Sequence, residues 1–240
     1  DCGETLSTEV IPAKGHSFGD WTVTKEATCF EDGEESRTCP VCKYVETRPI
    51  FANSDHCPSK AFTDLDADAW YHEGVDYALT NGLMNGVGSG KFEPDGQLTR
   101  AQLVTVLYRM AGSPAVDAPS GFTDVADGQW YSDAIAWAAA NGIVNGVSAT
   151  KFAPKQWITR EQMASILYRY ARYKQWDVSQ RGDLYQFSDR SKCHSYALEA
   201  LSWANATGLI QGKGKDILDP RGLASRAQVA AILQRFHQTY

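Results

Sequence analysis

The hydrophobic positions of this chain fall into three recurring blocks. Leu103, Val106, Leu107 and Met110 follow an i, i+3, i+4, i+7 pattern, as do Met163, Ile166, Leu167 and Tyr170, and again Val229, Ile232, Leu233 and Phe236. Each set lines one face of a helix, and a stripe of this kind is core. A shorter apolar set precedes each stripe: Tyr71, Val75 and Ala78; Tyr131, Ile135 and Ala138; Ala197, Leu201 and Ala204. Their spacing is helical too, and Gly82, Gly142 and Gly208 stand where a left-handed C-terminal cap is expected. The second helix of each block opens on a hydroxyl residue followed three positions later by glutamine (Thr99–Gln102, Thr159–Gln162, Ser225–Gln228), which predicts a capping box. Pro94, Pro154 and Pro220 break the chain in the loop before it.

The text between these positions repeats as well. "FTDLDADAWYHEGVDYALTNGLMNG" at Phe62 returns as "FTDVADGQWYSDAIAWAAANGIVNG" at Phe122 and as "FSDRSKCHSYALEALSWANATGLIQG" at Phe187, with one extra residue before Tyr196. Gly82 to Arg100, Gly142 to Arg160 and Gly208 to Arg226 are each 18 residues apart. The spacing predicts three repeats, 61–112, 121–173 and 186–240, each one helix pair, joined by linkers at 113–121 and 172–186. One helix pair would leave its apolar face in water, so the three are expected to pack together.

Residues 1–60 are of another kind. They hold Cys2, Cys29, Cys39, Cys42 and Cys57, and only Cys193 lies beyond them. Short β-prone runs around Asp32-Gly33 and the Cys39–Cys42 turn predict a small β-hairpin domain stabilised through its cysteines. Cys29, Cys39 and Cys42 with His16 or His56 would make a tetrahedral Cys₃His zinc site. Disulfides are the alternative in an oxidising compartment, with Cys57–Cys193 one possible pair and Cys2 left unpartnered another outcome. Cys2 to His16 and Cys42 to His56 both span 14 positions, so the chain is expected to begin inside one such unit, as a trimmed fragment.

Charge and motif content exclude several functions. A net charge of −6 with no basic block argues against nucleic acid as a partner. No apolar run approaches the roughly 18 residues of a membrane span, so no membrane insertion is expected. His72, His194 and His237 share no repeat position, and neither a Ser/His/Asp arrangement nor a phosphate-binding glycine loop occurs, so the chain is not expected to be an enzyme. "DLDADAW" at Asp64 lacks the later ligands of a calcium loop.

The repeated arginines are the candidate chemistry. Arg100, Arg160 and Arg226 directly follow the cap, where free backbone N–H groups and the helix dipole favour an anion. A guanidinium adds a planar fork suited to a carboxylate. Each repeat also supplies an aromatic residue (Trp70, Trp130, Tyr196) and a glycine-bounded loop, ending at Gly86 and Gly146 in the first two. Asp64 and Asp124 belong to the same candidate site, and with Asp189 are equally placed to pair with the arginines inside the fold. If the arginines serve a ligand, replacing Arg100 and Arg160 by alanine should leave thermal stability nearly intact.

The order F-[ST]-D, aromatic, G-[LI]-x-[NQ]-G, [FL]-x-P and [TS]-R-[AE]-Q resembles the S-layer homology module in three tandem copies over 62–240. The resemblance implies a pseudo-threefold, mainly α trefoil of three helix-pair repeats with a central helical bundle, located on the bacterial cell surface. It also implies non-covalent anchoring to an acidic, ketal-pyruvylated secondary cell-wall polysaccharide, bound in grooves between neighbouring repeats with the help of Arg100, Arg160 and Arg226. The motif's closing acidic residue is glutamine in all three copies, which still closes a capping box and leaves the cation freer. The third copy departs further, with Tyr196, Ser225 and Ala224, which places the first expectation on Arg100 and Arg160. A surface module for protein partners, a host ligand or S-layer neighbours, is the alternative function. Residues 1–60 resemble cysteine-rich repeats that accompany surface modules in gut Firmicutes.

Overall fold

A computed structural model describes residues 15–27, 29, 31–52, 57–214 and 216–240. The chain divides into two compact units, Asp1–Cys57 and Pro58–Tyr240. It is mainly α-helical, with one small sheet in the first unit.

The first unit is a three-stranded antiparallel meander, one strand more than a hairpin: β1 (Thr22–Lys25), β2 (Gly33–Thr38) and β3 (Val45–Ile50), in the order β1-β2-β3. Pairing of β2 with β3 runs from Gly33 opposite Ile50 to Thr38 opposite Val45. Two directly opposed pairs carry opposite charge, Arg37 on Glu46 at 2.6 Å and Arg48 on Glu35 at 2.5 Å. Both guanidinium groups also lie over the Trp21 ring, at 4.6 and 4.2 Å. The described residues of this unit form almost no apolar interior. Among its described residues only Gly33, Cys39 and Cys57 are buried.

Among its described residues the second unit contains six α-helices: α1 (His72–Thr80), α2 (Arg100–Met110), α3 (Ser132–Ala140), α4 (Arg160–Tyr173), α5 (Leu198–Ala206) and α6 (Arg226–Thr239). The apolar stripes face one continuous core that includes Leu103, Leu107, Met163, Leu167, Val229 and Leu233. All three capping boxes form, with the hydroxyl accepting from the glutamine N–H and the glutamine side chain accepting from the cap N–H. Gly82, Gly142 and Gly208 adopt φ of 62°, 66° and 74° just past α1, α3 and α5. Beyond Gly82 the Leu83 N–H returns to Ala78 O at 2.9 Å, which closes the helix end as a left-handed cap does.

The packing differs from the expected helix pairs. α2 packs on α3, α4 on α5, and α6 on α1. Each packed pair thus joins the second helix of one repeat to the first helix of the next, and the last repeat returns to the first. Backbone hydrogen bonds close the same cycle: Leu98 N–H to Ala224 O at 3.1 Å, Ala224 N–H to Ile158 O at 3.1 Å, and Ile158 N–H to Leu98 O at 2.9 Å. The sequence period and the packing unit are therefore out of phase.

A second device, present three times, fixes the loop before each second helix. The Asp64 carboxylate accepts the N–H groups of Phe92 (2.9 Å) and Glu93 (2.8 Å). Asp124 does the same for Phe152 and Ala153, both at 2.8 Å, and Asp189 for Leu218 and Asp219, both at 2.9 Å. Glu93, Ala153 and Asp219 each hold a positive φ, 57°, 59° and 53°, unusual for residues with a side chain. The carboxylate bonds offset that strain. Partial burial opposes ionisation of Asp64 and Asp124, but the two loop amides prevail and hold both carboxyls below their usual range.

Because these folded values are depressed, the stabilisation is complete above the unfolded aspartate value of about 3.9 and is lost as pH falls through the lower folded value. We expect Asp124→Ala to remove about 2–3 kcal/mol at neutral pH, from the charge-assisted bonds it breaks. The melting temperature should fall by roughly 5–10 °C, measured by thermal circular dichroism, and the gap between wild type and variant should close in strong acid.

Candidate functional site: grooves shared by three repeats

The expected anion site at the helix starts is already filled by the fold. The N–H groups of Arg100 and Ala101 donate to Gln156 O and Pro154 O, and Gln102 N–H to its own cap, Thr99 Oγ1. The same holds for Arg160 and Glu161 with Gly222 and Pro220, and for Arg226 and Ala227 with Gly96 and Pro94. Donors that a ligand would need are thus spent on the neighbouring repeat and on the helix's own cap.

The arginine side chains are also built in. Arg100, Arg160 and Arg226 are only 4%, 5% and 6% exposed. Each Nε reaches a carbonyl of the next repeat: Arg100 to Phe152 O at 2.9 Å, Arg160 to Leu218 O at 3.1 Å, Arg226 to Phe92 O at 2.7 Å. Arg100 and Arg226 add Nη2 bonds to Asn145 O and Asn85 O and lie over the Phe152 and Phe92 rings at 4.6 and 4.5 Å. Burial lowers all three guanidinium pKa values, yet arginine remains charged. The aspartates therefore do not pair with the arginines directly. One peptide group stands between them, its N–H on the carboxylate and its C=O on the guanidinium.

Two grooves open beside these arginines. The larger has a volume of about 550 Å³ and is lined by Arg100, by Asn145, Gly146, Gln162 and Arg169, and by His194, Tyr196 and Arg221. The smaller, of about 380 Å³, is lined by Arg226, by Asn85, Gly86, Gln102 and Arg109, and by Trp130. They follow one rule. The arginine comes from one repeat, the glycine-bounded loop from the next, and the aromatic from the one after. An arginine therefore does not share a groove with the aromatic of its own repeat, and Tyr196 joins Arg100 although the third copy is the most divergent. Arg160 lines neither of these two grooves.

The remaining predicted residues divide by role. Trp130, 62% exposed, lines the smaller groove; both it and Trp70, 65% exposed, stack edge-on against the tyrosine that follows, Tyr131 and Tyr71. Asp64 and Asp124 are committed to the loop clamps described above. Gly146 is required by a close approach: a Cβ there would lie 2.2 Å from Ser148 O and 2.4 Å from Lys151 O. A Cβ on Gly86 would meet the Phe62 ring at 2.4 Å. Both glycines let the loop fold tightly along the groove wall.

The sequence reading missed a second arginine, nine residues after the first in every repeat: Arg109, Arg169 and Arg235. Its fixed interval was the available signal, hidden inside a helix whose stripe drew the eye to apolar positions. Arg169 lines the larger groove, and among the described residues no hydrogen bond or ion pair engages its guanidinium. Also unforeseen was Glu161, where the other repeats have Ala101 and Ala227. This buried carboxylate accepts from the His194 backbone N–H at 3.1 Å and the Tyr196 hydroxyl at 3.2 Å, and lies 2.5 Å from His194 Nδ1. Burial, followed by the Glu161 charge, pushes the Tyr196 hydroxyl up to about 12, so it stays a neutral donor at the groove wall.

In the first unit the cysteines separate into two places. His16, Cys39 and Cys42 hold their ligand atoms within 4.8 Å of one another, with His16 Nδ1 3.1 Å from Cys42 Sγ. Cys29 is not part of that cluster; it lies instead within 4.8 Å of Cys57. The Cys₃His set therefore loses Cys29, because the β1–β2 connection carries it away from the Cys39–Cys42 turn. His56 and Cys2 lie outside the described residues. The Cys42 backbone N–H bonds the Cys39 sulfur and, against burial and aided by the Val41 N–H, brings that thiol down to about 6.

Comparison with known proteins places this geometry in context. The S-layer homology domain family matches residues 61–104, 121–164 and 186–230. The surface-layer 125 kDa protein of Lysinibacillus sphaericus is 34% identical over 68% of this chain and 14% of its own length. The S-layer protein sap of Bacillus anthracis is 30% identical over 73% of this chain and 21% of its own. The exoglucanase XynX of Acetivibrio thermocellus is 27% identical over 73% of this chain and 16% of its own. The chain thus spans at most about a fifth of the length of these relatives.

Truncating the two kinds of arginine should have different consequences. Arg100→Ala strands two carbonyls and is expected to cost about 2–4 kcal/mol, contrary to the sequence-based expectation of an intact melt. Arg169→Ala should stay within about 0.5 kcal/mol of wild type. Urea denaturation followed by tryptophan fluorescence measures both.

Proposed function

The chain belongs to the S-layer homology domain family, a set of cell-surface modules, and from that premise we propose that it tethers a larger protein to the bacterial cell wall by gripping an acidic polysaccharide in its inter-repeat grooves. The observation that carries this reading is the groove of about 550 Å³ with Arg100, Arg169 and Arg221 on its walls and Tyr196 at its side. Three cations outnumber the one carboxylate, Glu161, and that carboxylate is already engaged by His194 and Tyr196. An anionic ligand is the complement of such a surface, and aromatic faces beside polar groups suit a sugar ring.

The roles divide between two arginines. Arg100 is the positioning residue that locks repeats together and lends its positive field to the groove. Arg169 is the ligand's cation, available to a carboxylate such as a ketal-linked pyruvate. The cyclic bonding supports a pseudo-threefold trefoil with its helices gathered at the centre, in which the Arg226 groove is a second, more aromatic site. The module itself is not catalytic. Any catalytic activity of the whole protein would reside in chain beyond these repeats, a division supported by the small share of the exoglucanase relative that this chain spans.

Co-sedimentation with purified cell wall, before and after chemical removal of pyruvate, tests the reading. Wild type should pellet with intact wall and stay in solution with depyruvylated wall. Arg169→Ala should bind at least tenfold more weakly while remaining folded, and binding should weaken as salt rises. Sedimentation indifferent to both pyruvate and Arg169 would instead favour a surface module for protein partners.

A further inference from the structure

We propose that His16, Cys39 and Cys42 form a zinc site that stabilises the three-stranded sheet of the first unit. Two independent observations converge on it. The first is geometric. β2 ends at Thr38 and β3 begins at Val45, and the turn between them folds back on itself: Lys43 N–H donates to Cys39 O and Cys39 N–H to Tyr44 O, both at 2.9 Å, with Lys43 at a φ of 63°. That turn brings both thiols of the C-x-x-C to one place, and the His16 ring joins them with Nδ1 3.1 Å from Cys42 Sγ. Tetrahedral zinc, bonded at about 2.3 Å to sulfur and 2.0–2.1 Å to nitrogen, separates its ligands by roughly 3.5 Å. The His16–Cys42 separation lies within a few tenths of an ångström of that value, and the Cys39 sulfur lies within 4.8 Å of both.

The second observation is energetic. With only Gly33, Cys39 and Cys57 buried among them, the described residues of the first unit do not form the core that holds an ordinary domain. Small folds of this kind need a staple, either a metal or a disulfide. Histidine beside the cysteine pair distinguishes the two. A disulfide has no use for an imidazole, whereas zinc takes one readily. The ring is also held in place, stacked on Tyr44 with centroids 4.6 Å apart and planes 12° apart, which fixes its direction as a ligand must be fixed.

Binding forms two Zn–S bonds to the thiolates, any remaining S–H proton passing to solvent, with no change of oxidation state. The fourth tetrahedral position is left to water. This inference is independent of the polysaccharide reading.

The test is metal content of the full chain purified in the presence of zinc without added reductant. Cys42→Ser and His16→Ala should each lose about one equivalent of zinc relative to wild type, while Cys193→Ser keeps the wild-type content. Unchanged zinc in Cys42→Ser, or a Cys39–Cys42 disulfide by mass spectrometry of the wild type, would overturn the proposal. Because a variant can lose metal by losing its fold, cobalt(II) is added to the wild type as a second measurement. Thiolate-to-cobalt charge-transfer bands are expected, and their absence overturns the proposal as well.

Discussion

A single peptide group clamped between a carboxylate and a guanidinium is the constraint on which the helical unit depends. In the first repeat it is the Phe92–Glu93 peptide, with its N–H on Asp64 and its C=O on Arg226. Asp124 with Arg100 and Asp189 with Arg160 build the same arrangement. Opposite charges at the two ends of a peptide dipole reinforce both hydrogen bonds. Direct ion pairing would have required desolvating both charges against each other. Here the polar backbone takes up both, and the loop is locked in a conformation its residues would not choose alone. Each clamp also ties one repeat to the next, since carboxylate and loop belong to one repeat and guanidinium to its predecessor.

Function follows from that linkage. Because the arginine reaches across, the space beside it is walled by three repeats at once, and no groove exists in a single copy. The presence of three copies in this chain has a physical reason: they close the cycle of Leu98, Ala224 and Ile158 and leave no unpaired end. Within that common frame the grooves differ in chemistry. One collects Arg169, Arg221, His194 and Tyr196, and the other offers Trp130 and Arg109. Three-way construction allows such divergence, since substitutions in any one repeat alter more than one groove.

Much of this was legible in the sequence. Helical stripes, capping boxes and terminal glycines are local signals, set by residues within a few positions of one another, and the structure reproduces each of them. The partner of each helix was not legible. A stripe reports that a face is buried but not which neighbour buries it, so the intuitive pairing of α1 with α2 gave way to α1 with α6. The aspartates and arginines were recognised as a set, but their meeting through a peptide group depends on loops with positive φ at Glu93, Ala153 and Asp219, for which no glycine gives warning. Trp130 and Arg169 owe their groove positions to the cyclic order, which spacing alone does not encode. In the first unit the C-x-x-C turn is plain in the sequence, whereas the position of Cys29 beside Cys57 follows from the path of the β1–β2 connection, which spacing does not encode.

The central claim is that the three repeats stand or fall as one interlocked body. Native-state hydrogen exchange at the amides of Leu98, Ile158 and Ala224 addresses it most directly, because each of these bonds crosses from one repeat to another. The account predicts that all three exchange only through global unfolding, with equal free energies of opening and the same denaturant dependence. Earlier exchange of one amide, through an opening confined to its own repeat, would contradict it.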